Sequence, residues 1–239
     1  MSLQCSYYLF VKVIKKLIRN ILGVVDPNGD FIFMISRMAG RIKIPNNSMT
    51  GDVLTVFLKE MSLGKQILEF GSGGSTLVFA QSASKTVSVE SDRCFSQNIN
   101  KILRTYQLTN KTNIFWVNIG PTKSFGQPWK TLKHLKQYRY QKYSSQVFNA
   151  FPEVNLSDLV FIDGRFRVAC AMKSILNIKK DFTLVIDDYL DRPEYSVIAR
   201  VLGAPNDSIM NTAIFYVRTK NVSQNLAEYV YAAYKNDYR

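Results

Sequence analysis

Two kinds of stretch alternate along this chain. Short continuous apolar runs at 66–70 (Q-I-L-E-F), 86–90 (T-V-S-V-E), 113–117 (N-I-F-W-V), 158–163 (D-L-V-F-I-D) and 182–186 (F-T-L-V-I) have strand length and strand composition. Runs of this kind are typical of strands buried on both faces of a parallel sheet. Between them the pattern predicts helices over 53–58, over 92–106, after Gly164 and over 191–202, and then a late strand at 213–218 and a closing helix at 226–234. Strands separated by helix-length intervals predict an α/β fold. The expected form is a Rossmann-like, doubly wound, mostly parallel sheet with helices on both faces and a late antiparallel strand, its ligand site at the carboxyl ends of the strands.

The first run ends in Gly71-Ser72-Gly73-Gly74, and Ser75 and Thr76 open the next apolar helical stretch. Strand, glycine turn and helix start form a nucleotide-binding crossover, because glycine lets the backbone bend sharply and a ligand approach it closely. The flanks decide which nucleotide. A dinucleotide fingerprint needs a third glycine where this chain has Thr76. Glu69, just before the turn, would repel a pyrophosphate and suits a cationic amine. Glu90, nineteen residues after Gly71, stands where a ribose-binding carboxylate is expected. A nucleoside carrying positive charge fits best.

L-E-F-G-S-G-G-S-T followed by S-V-E-S-D resembles motif I and the next acidic motif of class I S-adenosylmethionine-dependent methyltransferases. The resemblance covers about 47–218. It implies that Gly71, Ser72, Gly73, Gly74, Ser75 and Thr76 form the turn beside the methionine part, that Glu69 lies near its amino group and that Glu90 holds the ribose hydroxyls. Asn118 follows the third strand, where this fold often faces the adenine; it is equally suited to a turn.

The fourth and fifth runs end in acids, Asp163 in one and Asp187 with Asp188 after the other. Three carboxyl groups at neighbouring strand ends can hold a hard divalent cation such as magnesium. This acid, followed later by V-I-D-D-Y, is similar to metal-dependent O-methyltransferases of the catechol and macrocin types. That likeness implies a metal that binds a substrate hydroxyl, lowers its pKa and orients the oxygen for in-line attack. Catechol-type enzymes carry a lysine base three residues after the first acid, whereas this chain has Phe166 between Arg165 and Arg167. Those arginines and Arg192 are alternative partners for the acids. D-G-R-F-R-V-A-C-A also resembles a group of bacterial methyltransferase-like proteins, while the N/D-P-P-aromatic motif of base amino-methylating enzymes is replaced by I-D-G-R-F.

Two segments stand apart from the strand and helix pattern. Over 9–22, Phe10, Val13, Ile14, Leu17, Ile18 and Ile21 face away from Lys12, Lys15, Lys16 and Arg19, a basic amphipathic helix. Packing on the domain or on a second subunit is the preferred reading, and peripheral membrane contact the alternative. With the turn-rich connector it makes a segment 1–45, leaving 46–239 as the methyltransferase domain. The second segment, 120–156, mixes Phe125, Trp129, Tyr138, Tyr140, Tyr143 and Phe148 with Lys123, Lys130, Lys133, Lys136, Arg139 and Lys142. Rings among cations can stack on bases or sugars and hold phosphates, so a substrate-facing cover is the preferred expectation here, and a basic amphipathic surface helix capped by the Gly126-Gln127-Pro128 turn the alternative. His134, the sole histidine, and Asp163 are the candidate catalytic groups.

Composition adds limits. With 46% hydrophobic and 21% charged residues the chain is globular rather than disordered. Cys5, Cys94 and Cys170 are few, odd in number and widely spaced, which argues against a disulfide framework or a zinc site and for a reducing, cytoplasmic compartment. No apolar run reaches the ~18 residues of a membrane span. A net charge of +13 points to anionic partners, and much of it falls in the N-terminal segment and in 123–142. The expected activity is methyl transfer from S-adenosylmethionine to an oxygen of a small-molecule or glycan-like acceptor, with magnesium if the acidic rim binds it. An RNA methyltransferase or RNA-binding protein acting through 120–156 is the nucleic-acid alternative, and a non-catalytic cofactor-binding protein is another. A nicotinamide oxidoreductase ranks last because of Thr76. The oligomeric state is left open.

Overall fold

A computed structural model describes residues 52–128 and 133–239, the side chains of Asp52, Ser124 and 133–137 excepted. The segment 1–45, its helix over 9–22 and its boundary with the domain lie outside the described residues.

The strands are β1 (Gln66–Phe70), β2 (Lys85–Glu90), β3 (Thr112–Trp116), β4 (Leu159–Ile162), β5 (Phe182–Ile186), β6 (Asp207–Ile209) and β7 (Thr212–Val217). They form one sheet in the order β3-β2-β1-β4-β5-β7-β6. The first five run parallel, and β7 pairs antiparallel with both β5 and β6. From β1 the chain winds outward to β3, then returns to the other side of β1 as β4. That reversal makes the β1–β4 boundary the topological switch point, where a ligand crevice opens in such sheets.

The helices are α1 (Asp52–Ser62), α2 (Gly74–Ser82), α3 (Arg93–Thr105), α4 (Lys133–Ala150), α5 (Arg167–Asn177), α6 (Ala199–Leu202) and α7 (Gln224–Tyr234). Strand residues alternate between two buried layers, as the two-residue period requires. Leu68, Phe70, Val160 and Ile162 pack under α4, α5 and α7, while Ile67, Leu159 and Phe161 pack against Leu54 and Leu58 of α1 and Phe79 of α2. Each such side chain contributes about 1.5–3 kcal/mol on leaving water, so helices on both faces follow from strands that are apolar on both faces. The Asp92 side chain caps α3 by accepting from the Phe95 N–H at 2.9 Å.

Two elements differ from the expected pattern. β6 has three mostly exposed residues, too few for an apolar run, and turns into β7 at Met210 (φ +53°) without an Asn-Gly signal. The helix expected over 191–202 is a 3-10 turn, Pro193–Ile198, followed by the single turn of α6. Tyr195 and Ile198, three apart, are both buried, which a three-residue turn aligns on one face.

After β1 and β4 the chain turns at Gly71 and Gly164, and the two turns touch. Gly71 has φ +102°, and a Cβ there would lie 2.5 Å from the Gly164 nitrogen. A Cβ on Gly164 would lie 2.9 Å from the Phe70 carbonyl and would meet the Tyr143 hydroxyl. Gly73 is different: its φ of −176° is ordinary extended backbone, and nothing lies within 4 Å of its Cβ position. Gly71→Ala is therefore expected to destabilise the protein by about 2–4 kcal/mol in urea unfolding, from left-handed strain plus overpacking. Gly73→Ala should stay within about 1 kcal/mol of wild type.

Candidate functional site

Backbone bonds carry the parallel ladder one residue past each strand. The N–H groups of Gly71, Val117, Asp163 and Asp187 donate to the carbonyls of Val89, Glu90, Phe70 and Ile162 at 2.9, 2.8, 2.9 and 3.0 Å. The glycine turn, Glu90 and the acids after β4 and β5 thus emerge along a single edge.

Within the turn the glycines Gly71, Gly73 and Gly74 are partly exposed, while Ser72, Ser75 and Thr76 are buried. Thr76 Oγ1 accepts from the Gly73 N–H at 2.8 Å and donates to Glu69 Oε2 at 2.6 Å. The Ser75 hydroxyl donates to the other Glu69 oxygen, and Ser72 and Ser88 share a bond of 2.7 Å. Thr76 is accordingly a relay that fixes the turn onto Glu69, which explains a threonine where a dinucleotide site needs glycine. Glu69 itself is fully buried, with both oxygens engaged by the first turn of α2. Burial pushes its carboxyl up to about 7, against the pull of the Ser75, Ser88 and Thr76 hydroxyls.

Glu90 ends β2 with little exposure. Its Oε1 accepts from the Asp92 N–H at 2.7 Å and from the Ser91 hydroxyl at 3.3 Å. Burial raises its carboxyl to about 7, with the Asp92 backbone bond opposing. Past β3 the chain folds back over this carboxylate. Thr122 donates to Asp92 Oδ2 at 3.2 Å, Arg165 Nε donates to the Phe125 carbonyl at 2.8 Å, and a Cβ on Gly126 would lie 2.8 Å from Ser91 Oγ and 4.0 Å from Glu90 Oε1. Residues 122–128 therefore form a strap from the end of β2 to the turn after β4. Asn118, exposed, accepts from the Gly120 N–H at 3.0 Å and shapes the turn that starts this crossing.

The rings and cations of 120–156 separate on α4. Tyr140, Tyr143 and Phe148 are buried, and the first two pack 5.4 and 5.6 Å from the Phe166 ring. Tyr138 stays outside, with Arg139 and Lys142 at 5.6 and 5.8 Å from its ring. Three of the rings expected to face a substrate are core residues instead, because they recur at helical spacing on the face that meets the sheet. His134 lies in the first turn of α4; its side chain, like Trp129 and Lys130, is outside the described residues.

Asp163, Asp187 and Asp188 bring carboxylate oxygens within 4.8 Å of one another. Arg167, 5% exposed, reaches into this group. Its Nη2 lies 3.1 Å from Asp163 Oδ1 and 3.0 Å from Asp188 Oδ2, and its Nη1 donates to the Asp187 carbonyl. Arg192 Nη2 lies 3.0 Å from the same Asp188 oxygen, and the Thr212 hydroxyl donates to Asp187 Oδ1 at 2.5 Å. Burial pushes Asp163 up to about 8; Arg167 opposes this, and the charges of Asp187 and Asp188 add to it. A divalent ion would have to displace a buried guanidinium, so the side chains as arranged do not fit magnesium. The residue at the lysine-base position of the catechol type, Phe166, is fully buried.

A cleft of about 270 Å³ lined by Lys65, Asp158, Asp181 and Arg218 lies at the opposite edge, beside the amino ends of β1, β4 and β5. Its acids are already paired with Lys180 and Arg218, at 2.5 and 2.9 Å. Among the described residues, no helix is long and apolar enough to cross a membrane.

No family model and no curated protein matches this chain. Among solved structures it is similar to a methyltransferase-like protein from Silicibacter pomeroyi DSS-3, with 31% identity and a TM-score of 0.69 over 80% of this chain and 96% of that one. A methyltransferase from Geobacter sulfurreducens matches at 14% identity and TM-score 0.44 over 87% of this chain and 97% of that one. An O-methyltransferase from Bacillus cereus, in complex with S-adenosylhomocysteine, matches at 16% and 0.41 over 80% and 79%.

Glu69, Glu90 and Asp163 all bind protons more tightly here than in an unfolded chain. Their contribution to stability is complete below the ordinary carboxyl range and is lost as pH rises through 7 to 8. Thermal unfolding of the ligand-free protein should therefore show stability falling between about pH 5 and 8. Glu90→Gln, which keeps the shape and removes one titrating group, should make that decline shallower.

Proposed function

Because the chain belongs to the class I S-adenosylmethionine-dependent methyltransferases, we propose that it methylates an oxygen of a small-molecule or glycan-like acceptor. The observation that carries this reading is the pairing, next to the switch point, of a glycine turn open at Gly73 with the buried carboxylate Glu90 at the end of the neighbouring strand β2. The amino end of α2 offers backbone N–H groups to the methionine carboxylate. Glu90 accepts the ribose hydroxyls, whose donors would stabilise the ionised form that burial disfavours. The strap over Glu90 shields that end from water.

S-adenosylmethionine supplies a methyl group already activated on a positively charged sulfur. The chain's task is then to aim an oxygen and remove its proton. Asp163, whose backbone touches Gly71, stands next to the turn and is the group assigned to take the acceptor proton, in the ionised form that grows as pH rises through about 8. Magnesium has no place in this step, since Arg167 holds the acids. An oxygen acceptor is favoured because I-D-G-R-F stands where base amino-methylating enzymes carry their N/D-P-P motif. The RNA alternative draws less support, with Tyr140, Tyr143 and Phe148 in the core. A cytoplasmic location belongs to the same reading and rests on the few, widely spaced cysteines, of which Cys94 and Cys170 are free thiols.

Isothermal titration with S-adenosylhomocysteine tests the cofactor assignment. Wild type should bind. Glu90→Ala should weaken binding about ten- to a hundredfold, the value of charged hydrogen bonds to the ribose, and Gly73→Ala should weaken it while the protein stays folded. Absence of binding by wild type would remove the methyl-transfer reading.

A further inference from the structure

The acids at this edge are already neutralised from within, and the backbone is bent to achieve it. Arg167 is the first residue of α5, and the residue before it, Phe166, has φ +59° although it is bulky and fully buried. Asp188 on the other side of the contact has φ +54°. Non-glycine residues hold such angles only where their surroundings over-determine them. Here Asp188 is one partner of the ion pair and Phe166 immediately precedes the other, Arg167, and Phe166 is locked between Tyr140 and Tyr143.

Arg167 then spans three groups: the Asp163 carboxylate, the Asp188 carboxylate and the Asp187 carbonyl. Arg192 meets the same Asp188 oxygen, and the ring of Tyr195 lies under both guanidiniums at 5.7 and 5.9 Å. Two guanidiniums bring the same positive charge as one divalent ion. A planar donor can bridge carboxylates that a small octahedral ion would gather more tightly.

We propose that the Arg167 guanidinium is the resident cation of this edge, standing where a divalent ion would otherwise bind, and that it is a positioning residue that holds Asp163 and Asp188 without metal. Binding of metal and of arginine at these acids is mutually exclusive. An acceptor is therefore held here by fixed side chains and not by chelation of neighbouring hydroxyls.

Titration with Mn²⁺, followed by electron paramagnetic resonance, tests this with neither cofactor nor acceptor present, so its outcome is separate from that of the methyl-transfer reading. Wild type should leave the free-ion signal unchanged up to about 1 mM. Arg167→Ala uncovers three carboxylates with too little positive charge, so it should bind Mn²⁺ at least about tenfold more tightly than wild type. Adding Asp187→Asn should reverse that gain, and Arg167→Lys, which keeps the charge, should not show it. Stoichiometric Mn²⁺ binding by wild type that Asp187→Asn abolishes would overturn the proposal, and so would a folded Arg167→Ala variant that gains no binding. If Arg167→Ala does not fold, the wild-type and Arg167→Lys titrations decide on their own.

Discussion

Two glycines that meet without side chains, Gly71 and Gly164, set the distance between the ends of β1 and β4. Neither turn can carry a Cβ, because each would drive one into the other's backbone. The contact brings the glycine turn beside Asp163, and it leaves room for the Tyr143 hydroxyl, which reaches the Val89 carbonyl at 3.4 Å. Widening this gap by one methyl group would separate the cofactor turn from the acids. It would also open the buried layer between the sheet and α4, whose close packing has little tolerance for added volume.

Desolvation is the force that Glu69, Glu90 and Asp163 have in common. Among the described residues, Glu69 and Glu90 have hydroxyl and N–H donors but no cation at hydrogen-bond distance, so burial wins and both carboxyls rise. Asp163 has a cation and still rises, because burial removes water and, to a lesser degree, Asp187 and Asp188 repel its charge. At the far edge, the Lys180–Asp158 pair is half-exposed and the Arg218–Asp181 pair exposed, so water screens both. Ion pairs of similar length therefore have different consequences according to which edge of the sheet they occupy.

The sheet was legible because its strands are apolar on both faces and its first turn holds three glycines in four residues. Glu90 was legible by its distance from that turn. On α4 the mixture of rings and cations suggested stacking, yet Tyr140, Tyr143 and Val147 follow the helical repeat, and periodicity would have assigned them to the core. Thr76 read as a missing glycine, and its hydroxyl relay to Glu69 is a tertiary contact that no local pattern encodes. The seat of Arg167 was one of three arginines named beside the acids, and the choice among them depends on a left-handed Phe166, a conformation that sequence gives little reason to expect of a bulky residue.

Five consecutive residues tie these features together. Asp163 faces the acids, Gly164 meets Gly71, Arg165 holds the strap at the Phe125 carbonyl, Phe166 enters the aromatic layer under α4, and Arg167 turns back to Asp163. A shift at any of these positions moves the backbone of the others. Substitutions here share partners and so will not combine additively. The cofactor turn, the strap and the acidic edge are then parts of a single coupled unit. A change in the packing of Phe166 would reach Glu90 through Arg165 and the strap.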